Sequence, residues 1–313
     1  MINRTLVRTK VVQTLFAYYK DGEKSPLTAR KELLNSFSDT YSLYIMLLAF
    51  ANELTTYAEE QLSEAAARAT IVHEEFVVNR HFVNNRIAQQ VFNNRRIRNY
   101  MDEQNLRWDA GMPAIVSVYK QLVASPFYQD YMTLPSPSYE DDKQLWRKIY
   151  TTLLMDNEDL RAALDEMEVV LDKQGWTVDM DVVLTYVAKT IKRFTEAAGD
   201  DQIILEMFDS EEELTFAKDL LRLTIEHADE YRQMISNVLK NWETERIAYM
   251  DYIILLTAMT EITQFNSIAI EVSMNEYIEI AKEYSSDKSY IFVNGVLSRI
   301  VTDLRQKNAL FKV

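Results

Sequence analysis

The sequence predicts an all-α protein, because turn-forming residues are scarce and apolar residues recur at helical spacing. Only 5 of the 313 residues are glycine and only 5 are proline, which leaves little turn chemistry for a chain of β-strands. Apolar residues make up 48% of the chain and charged residues 26%, so a large buried core can form. A chain of this length is expected to contain about two domains.

The first predicted helix covers residues 4–19. Arg4 and Arg8 lie one turn apart on it, beside a stripe of apolar side chains. That stripe consists of Val7, Val11, Leu15 and Tyr18. An arginine pair above an apolar face could hold the phosphate groups of a nucleic acid. Alternatively, both arginines pair with acidic neighbours on this acidic protein.

The middle of the chain, from Leu27 to about Gly199, is predicted to form six or more further helices. Helical spacing of apolar residues covers 33–62 and returns at 160–171. Residues 133–139, which include two prolines, are the one linker-like stretch. This middle region is therefore predicted to be folded and helical.

One segment of the middle region, residues 79–100, has the composition of a single-stranded RNA surface. It contains six asparagines and several arginines, with Phe82, Phe92 and Tyr100 between them. Phosphates, base edges and base faces are bound by cations, amides and rings respectively. The additional RNA contacts predicted here are Arg86, Arg95, Arg96 and Arg98. The alternative is a helical segment that pairs its arginines with acidic residues and buries its rings.

Two more helices are predicted over residues 211–227 and 228–242. Ser210 and Glu213 have the spacing of a capping box, in which each side chain bonds to the backbone of the other residue. This arrangement explains the acidic run at 209–213 better than a cation site does, because carboxylates also offset the dipole at a helix N-terminus.

Three consecutive helices are predicted near the end, over residues 247–262, 270–284 and 287–304. The first is apolar nearly all round, so it should pass through the middle of the core. The second has one apolar stripe, and the third opens at Asp287, a residue favoured at helix N-termini. Short polar breaks separate the three helices, as in a compact helical bundle.

These last helices carry four motifs in order. They are Asn275-Glu276-Tyr277, Ala281-Lys282-Glu283-Tyr284, Ser289 and Phe292-Val293-Asn294-Gly295-Val296-Leu297. The set resembles the NusB transcription antitermination family, whose pattern is close to INE, ELAKxY, S and FVNGVL. The resemblance covers about residues 1–22 and 210–304. It implies a NusB-like helical bundle formed by residues 1–24 and 201–313, with a large all-helical insertion at 25–200.

The resemblance also implies a function in transcription. Family members are RNA-binding antitermination factors that act on ribosomal RNA operons. They bind boxA-like single-stranded leader RNA together with the ribosomal protein NusE, in the antitermination complex of RNA polymerase. The residues that would contact RNA are Arg4, Arg8 and Lys10 of the first helix and Lys288, Ser289, Tyr290, Phe292 and Asn294 of the last. Both groups are then expected to share one exposed surface. Alternatively, Phe292 belongs to the core and Asn294 caps a neighbouring helix.

Two positions depart from the family pattern. Residues 5–7, Thr-Leu-Val, stand where the opening helix of the family is usually richer in arginine, and Leu256 stands where an arginine is common. A function of another class therefore stays open. In that alternative the protein is a helical protein-binding scaffold of the NusB fold, which recruits a partner through the insertion without binding RNA directly.

Composition restricts which other functional classes are possible. The net charge of −14 has the wrong sign for nucleic-acid binding by the overall field, so such binding must rest on local basic patches. The chain has no cysteine and three isolated histidines, and it lacks phosphate-binding loops and nucleophile elbows. We therefore expect no enzyme activity, metal or cofactor. The lack of an 18-residue apolar segment or a signal-peptide pattern predicts a soluble, cytoplasmic protein without a membrane segment.

Overall fold

The computed structural model describes residues 1–20, 22, 25–73, 75, 77–239, 248–307 and 310. These residues form fourteen α-helices and no β-strand, which confirms the predicted all-α class. The helices are α1 (Arg4–Lys20), α2 (Pro26–Val72), α3 (Arg86–Asn93), α4 (Arg95–Glu103), α5 (Met112–Ala124), α6 (Pro126–Met132), α7 (Tyr139–Lys148), α8 (Glu158–Val170), α9 (Trp176–Lys192), α10 (Glu211–Glu226), α11 (Ala228–Leu239), α12 (Tyr249–Gln264), α13 (Ile270–Tyr284) and α14 (Ser289–Gln306). None of the described helices is long and apolar enough to span a lipid bilayer.

The chain forms two compact units. The core unit contains Met1–Phe37 and Met207–Val313, and the inserted unit contains Ser38–Glu206. The unit boundary lies within α2, because this helix begins in the core unit and continues into the inserted unit. These limits fall at different residues from the predicted segments 1–24, 25–200 and 201–313.

Helix α12 is buried on nearly every side, as its apolar sequence predicts. Every side chain from Ile253 to Ile262 is buried. The hydroxyl groups of Thr257 and Thr260 donate hydrogen bonds to carbonyls one turn earlier in the helix, which satisfies these buried polar groups. Helices α1, α10, α13 and α14 pack around α12. The predicted start of this helix at residue 247 lies outside the described residues.

The helices that follow α12 have the predicted order, but α14 starts later than predicted. Helix α13 begins at Ile270, whereas α14 begins at Ser289 and not at Asp287. No side chain of the preceding residues caps α14. The carboxylate at this helix end belongs instead to Asp251 of α12, whose Oδ2 accepts a 2.8 Å hydrogen bond from the hydroxyl of Ser289.

The predicted capping box at the start of α10 is not formed. Ser210 makes no side-chain capping bond. Glu213 lies in an ion pair instead, with its Oε2 3.4 Å from Nε of Arg4 on α1. The carboxylates of the first turn of α10 remain well placed to offset the helix dipole.

The inserted unit is built around the later part of α2. Three ring side chains that follow it in the chain donate hydrogen bonds to its carbonyl groups. These bonds join Trp108 to Met46 at 3.1 Å, Tyr150 to Leu47 at 2.7 Å and Trp176 to Asp39 at 2.8 Å. The described residues between 26 and 192 form eight helices, α2 to α9, where six or more are predicted from the sequence.

Candidate nucleic-acid interface

Arg8 is the centre of a buried ion-pair network and not an exposed phosphate ligand. Its side chain is 3% exposed. Nε and Nη2 each donate a 2.8 Å hydrogen bond to the carboxylate of Glu261 on α12, and Nη1 lies 3.3 Å from Glu276 on α13. All three guanidinium nitrogens therefore face carboxylates inside the core unit. This geometry corrects the expectation that Arg8 contacts RNA.

Hydroxyl groups of α13 complete the surroundings of Glu261. Ser273 donates a hydrogen bond of 2.8 Å and Tyr277 one of 3.0 Å to its two carboxylate oxygens. Burial raises the pKa of Tyr277 well above its ordinary value, and the negative charge of Glu261 raises it further. Burial alone would lower the pKa of Arg8, but the hydrogen bonds and charge of Glu261 raise it. Arg8 therefore stays charged, and the network fastens α1, α12 and α13 together.

The other two candidates on α1 differ in exposure. Lys10 is only 4% exposed, so little of its side chain reaches solvent. The side chain of Arg4 is 39% exposed, although its Nε pairs with Glu213 and its guanidinium carbon lies 5.3 Å from the ring centroid of Phe216. The alternative in which both arginines pair with acidic neighbours is therefore the arrangement found. Of the three candidates on α1, Arg4 alone reaches solvent.

Ser289 has a structural position at the start of α14. It is 3% exposed, and its hydroxyl group is committed to Asp251, which also accepts a hydrogen bond from Ser285. Asp251 is itself 4% exposed. The first turns of α12 and α14 are joined by these bonds, so Ser289 orients the start of α14 and does not reach a ligand.

The remaining candidates, Lys288 just before α14 and three residues on it, reach solvent to different degrees. Lys288 and Asn294 are exposed, whereas Tyr290 and Phe292 are half-buried. The ammonium group of Lys282 lies 5.5 Å from the ring centroid of Tyr290. Among the described residues Asn294 caps no neighbouring helix. Its side-chain oxygen accepts a 3.4 Å hydrogen bond from the hydroxyl of Ser298 on the same helix.

The predicted shared surface of the two groups is not formed around Arg8. Arg8 is attached to α12 at Glu261, and Ser289 is attached to α12 at Asp251. These two acidic residues are ten positions apart, or about 15 Å along the helix axis. Arg8 and the start of α14 therefore lie near opposite ends of α12.

A cluster of rings and cations lies near the other end of α1, and sequence reasoning missed it. We call it the aromatic face, and it consists of Phe16, Tyr19 and Lys20 of α1, Arg232 of α11, and Tyr249 and Tyr252 of α12. The rings of Phe16 and Tyr249 meet edge to face at 5.4 Å. Lys20 lies over Phe16 at 5.5 Å, and Arg232 lies over Tyr19 at 5.1 Å. The signal in the sequence is the i, i+3, i+4 spacing of Phe16, Tyr19 and Lys20.

The aromatic face lies at the same end of the core unit as the start of α14. Tyr249 and Asp251 both belong to the first turn of α12, and Asp251 bonds to Ser289 in the first turn of α14. Tyr249 is 43% exposed, so its ring is accessible. Arg232 and Tyr252 also interact directly. This end of the unit therefore combines the exposed ring of Tyr249 with cations from α1 and α11.

In the inserted unit, the four arginines predicted as additional RNA contacts divide into two pairs. Arg86 and Arg96 form ion pairs, with Asp142 at 2.6 Å and with Glu206 respectively. Arg95 and Arg98 are exposed, and no carboxylate pairs with them within the described part of the chain. Phe82 is 1% exposed, whereas Phe92 is 52% exposed. The buried ring and the paired arginines agree with the alternative interpretation of residues 79–100, and RNA binding by the exposed residues stays a prediction.

Comparison with known proteins decides the family. Transcription antitermination protein NusB of Bacillus subtilis is 42% identical over 106 residues, which are 34% of this chain and 81% of that protein. The chain belongs to the NusB family. The sequence model described as NusB family matches residues 181–302. NusB proteins of Bacillus velezensis and Geobacter sulfurreducens are 44% and 37% identical, over 31% and 36% of this chain and 74% and 85% of their own lengths.

These comparisons cover about a third of the chain and confirm the family resemblance. The NusB match begins at residue 181 in α9 and continues through most of α14. No solved structure matches the chain. Within the described ranges, no group of three or more histidine or acidic residues is arranged to hold a metal ion.

Proposed function

We propose that this NusB family protein is an RNA-binding antitermination factor of ribosomal RNA operons. It binds boxA-like single-stranded leader RNA through its core unit, together with the ribosomal protein NusE, in the antitermination complex of RNA polymerase. The observation that carries the proposal is that the aromatic face and the start of α14, close to the Phe292–Leu297 motif, lie at the same end of α12.

The groups on this surface match the parts of a single strand. The exposed ring of Tyr249 offers a face on which a base can stack, and the half-buried rings of Tyr290 and Phe292 offer edges. Lys288 supplies a cation for phosphate, and Asn294 an amide that can donate to and accept from a base edge. Sequence-specific RNA recognition uses these contacts with unpaired bases.

The buried candidates contribute indirectly in this proposal. Arg8 holds α1 against α12 through Glu261, and Ser289 sets the direction of the first turn of α14 through Asp251. Arg4 lies about 24 Å from Lys20 along α1. Arg4 is therefore a phosphate contact only for a strand long enough to follow the whole helix.

Salt dependence distinguishes RNA binding from the scaffold alternative. Phosphate contacts by Lys20, Arg232 and Lys288, which lie at this end of the core unit, predict a log–log slope of about −2 for binding to a single strand. A protein-binding scaffold without RNA contacts would show no RNA binding at any salt concentration. The whole chain has a net charge of −14, so the slope reports these local cations and not the overall field.

The test is a titration of fluorescently labelled leader RNA with the full chain, with and without NusE. Tyr249→Ser should weaken binding about tenfold, because one base loses its stacking partner. Lys288→Gln should reduce the salt slope by about 0.7, because one phosphate contact is lost. Arg299→Gln is the matched control, since Arg299 is 67% exposed on α14, the helix that follows Lys288, and pairs with Asp303.

Two results would overturn the proposal. Binding of NusE without any RNA binding would favour the scaffold. Equal weakening by Lys288→Gln and Arg299→Gln would show that charge alone, and not the surface near the start of α14, determines RNA affinity.

A further inference from the structure

The junction between α3 and α4 presents an aromatic side chain to solvent within an arginine-rich segment. Phe92 is 52% exposed, the largest exposed fraction of any phenylalanine, tyrosine or tryptophan among the described residues. It lies near the end of α3, and Arg95 begins α4. An exposed ring beside cations is the combination on which single-stranded nucleic acids stack.

Asn94 anchors the buried side of the junction between α3 and α4. It is 2% exposed, and its amide donates hydrogen bonds to the carbonyls of Gln202 at 2.7 Å and Asp200 at 3.4 Å. Its side-chain oxygen accepts from the backbone N–H of Arg96 at 3.1 Å and caps α4. Because the buried side of the junction is anchored, the directions of Phe92 and Arg95 are set before any ligand arrives.

Arg98 folds back toward the same junction. Its Nη2 donates a 3.2 Å hydrogen bond to the carbonyl of Asn93, the neighbour of Phe92. The guanidinium group therefore lies at the junction between α3 and α4. One carbonyl bond leaves most of its five N–H donors available. Arg95 is also exposed and has no carboxylate partner among the described residues.

Two acidic residues near the junction are engaged with other arginines, whereas Asp200, whose carbonyl accepts from Asn94, and Asp201 are exposed and form no ion pair among the described residues. Glu206 pairs with Arg96, and Asp102 pairs with Arg107 at 3.4 Å. Glu103, at the end of α4, is the exposed acidic group that remains on this helix. Arg95 and Arg98 are therefore the two cations of α4 without a carboxylate partner among the described residues, on a chain whose net charge is −14.

We propose that Phe92, Arg95 and Arg98 form a second contact for single-stranded RNA, located on the inserted unit. The inference deepens the proposed function and rests on it, because it assigns part of the RNA binding to the region that the matched relatives do not cover. A base stacks on the ring of Phe92, and the two arginines hold the flanking phosphates. Stacking and phosphate contacts carry little sequence preference, so this contact accepts RNA outside the boxA-like element.

The experiment measures binding of the full chain to a labelled oligouridine strand of about twelve nucleotides, a length that suits one such site. The double variant Arg95→Gln/Arg98→Gln should weaken binding at least tenfold and reduce the log–log salt slope by about 1.4. Phe92→Ser should weaken binding about tenfold through lost stacking. Circular dichroism and thermal unfolding of each variant confirm that the fold is retained.

The matched control is Arg96→Gln/Arg107→Gln, which removes the same charge from two arginines that pair with acidic residues. It should change affinity by less than about threefold, because exposed ion pairs contribute little. Equal weakening by both double variants would overturn the inference, since the net charge would then decide the affinity. Unchanged binding of Phe92→Ser would also overturn it.

A parallel titration separates this inference from the proposed function. Tyr249→Ser should weaken the binding of boxA-like leader RNA more than the binding of oligouridine. Phe92→Ser should weaken the binding of both RNAs. Suppose that Tyr249→Ser loses leader binding while the Phe92 and Arg95/Arg98 variants bind RNA as wild type does. That result would support the proposed function and overturn the second contact. Binding of an acidic protein segment in place of RNA at the inserted unit would overturn the second contact alone. If the chain bound neither leader RNA nor oligouridine, the proposed function and the second contact would both be overturned.

Discussion

Arg8 and Glu261 are separated by 253 residues in the sequence, yet they form an ion pair with two hydrogen bonds of 2.8 Å. Both side chains are almost completely buried, at 3% and 0% exposure. The pair joins α1, which precedes the inserted unit in the chain, to α12, which follows it. The core unit is therefore closed by a specific polar contact between its two sequence segments as well as by apolar packing.

Replacement of Arg8 by methionine tests this structural role. Arg8→Met leaves the carboxylate of Glu261 buried without its cation, and removal of one partner of a buried pair costs about 3–5 kcal/mol of unfolding free energy. Urea unfolding followed by circular dichroism measures the loss. The double variant Arg8→Met/Glu261→Leu should recover much of the stability, because the unpaired charge is gone. Unchanged stability of Arg8→Met combined with weaker RNA binding would instead indicate that Arg8 contacts RNA.

Ser289→Ala tests the junction between α12 and α14. The variant removes a hydrogen bond to the buried carboxylate of Asp251, and a bond to a charged group contributes about 1.5–3 kcal/mol to stability. Ser298→Ala is the control, since Ser298 is exposed on the same helix and such surface changes stay within about 0.5 kcal/mol. Equal stabilities of the two variants in thermal unfolding would contradict the assigned role of Ser289.

The helices could be predicted from the sequence because they depend on local patterns. The uniform burial of α12 follows from apolar residues on all its sides, and the start of α13 follows from a polar break before Ile270. The start of α14 could not be placed from local pattern alone. Its N-terminal partner is Asp251, on another helix, while the locally suitable Asp287 is exposed.

The candidate site was harder to predict because burial depends on distant partners. The spacing of Arg4 and Arg8 places both on one side of α1, but it does not show that Glu261 and Glu276 face Arg8. The aromatic face was missed for a related reason, because Phe16 and Tyr249 meet only after α1 packs on α12. Motif resemblance identified the family, and the coordinates separate its buried residues from its exposed ones.

The raised pKa of Tyr277 predicts loss of stability at alkaline pH. Burial first, and the charge of Glu261 second, favour the neutral phenol in the folded protein, so its pKa exceeds the ordinary 10.0 of the unfolded chain. The sign follows from proton binding: above pH 10 the unfolded state releases this proton while the folded state retains it, so stability falls as pH rises. Tyr277→Phe should be less stable at neutral pH by about 1.5–3 kcal/mol, through the lost bond to Glu261. Its stability should also fall less steeply above pH 10, and equal slopes for wild type and variant in pH-dependent urea unfolding would contradict the prediction.

Gly111 provides a test of packing in the inserted unit. A Cβ atom at this position would meet the ring of Trp108 and lie 2.9 Å from the sulfur of Met167. The ring cannot move away easily, because its Nε1 donates a 3.1 Å hydrogen bond to the carbonyl of Met46 and the ring meets that of Phe50 edge to face at 5.3 Å. Gly111→Ala should therefore destabilise the inserted unit by about 1–3 kcal/mol, as overpacking does.

Hydrogen exchange is the appropriate measurement for Gly111→Ala, since a chain with two compact units need not unfold in one step. Protection of backbone amides should fall in α5 and α8, which contain or adjoin the crowded residues, and stay unchanged in α12. Gly22→Ala is an informative comparison, because no atom lies within 4 Å of the added Cβ and its φ of +82° makes backbone strain the only cost. Gly111→Ala should lose more protection in α5 and α8 than Gly22→Ala does. If the two losses were equal, the Trp108 ring would have moved to accommodate the added methyl group.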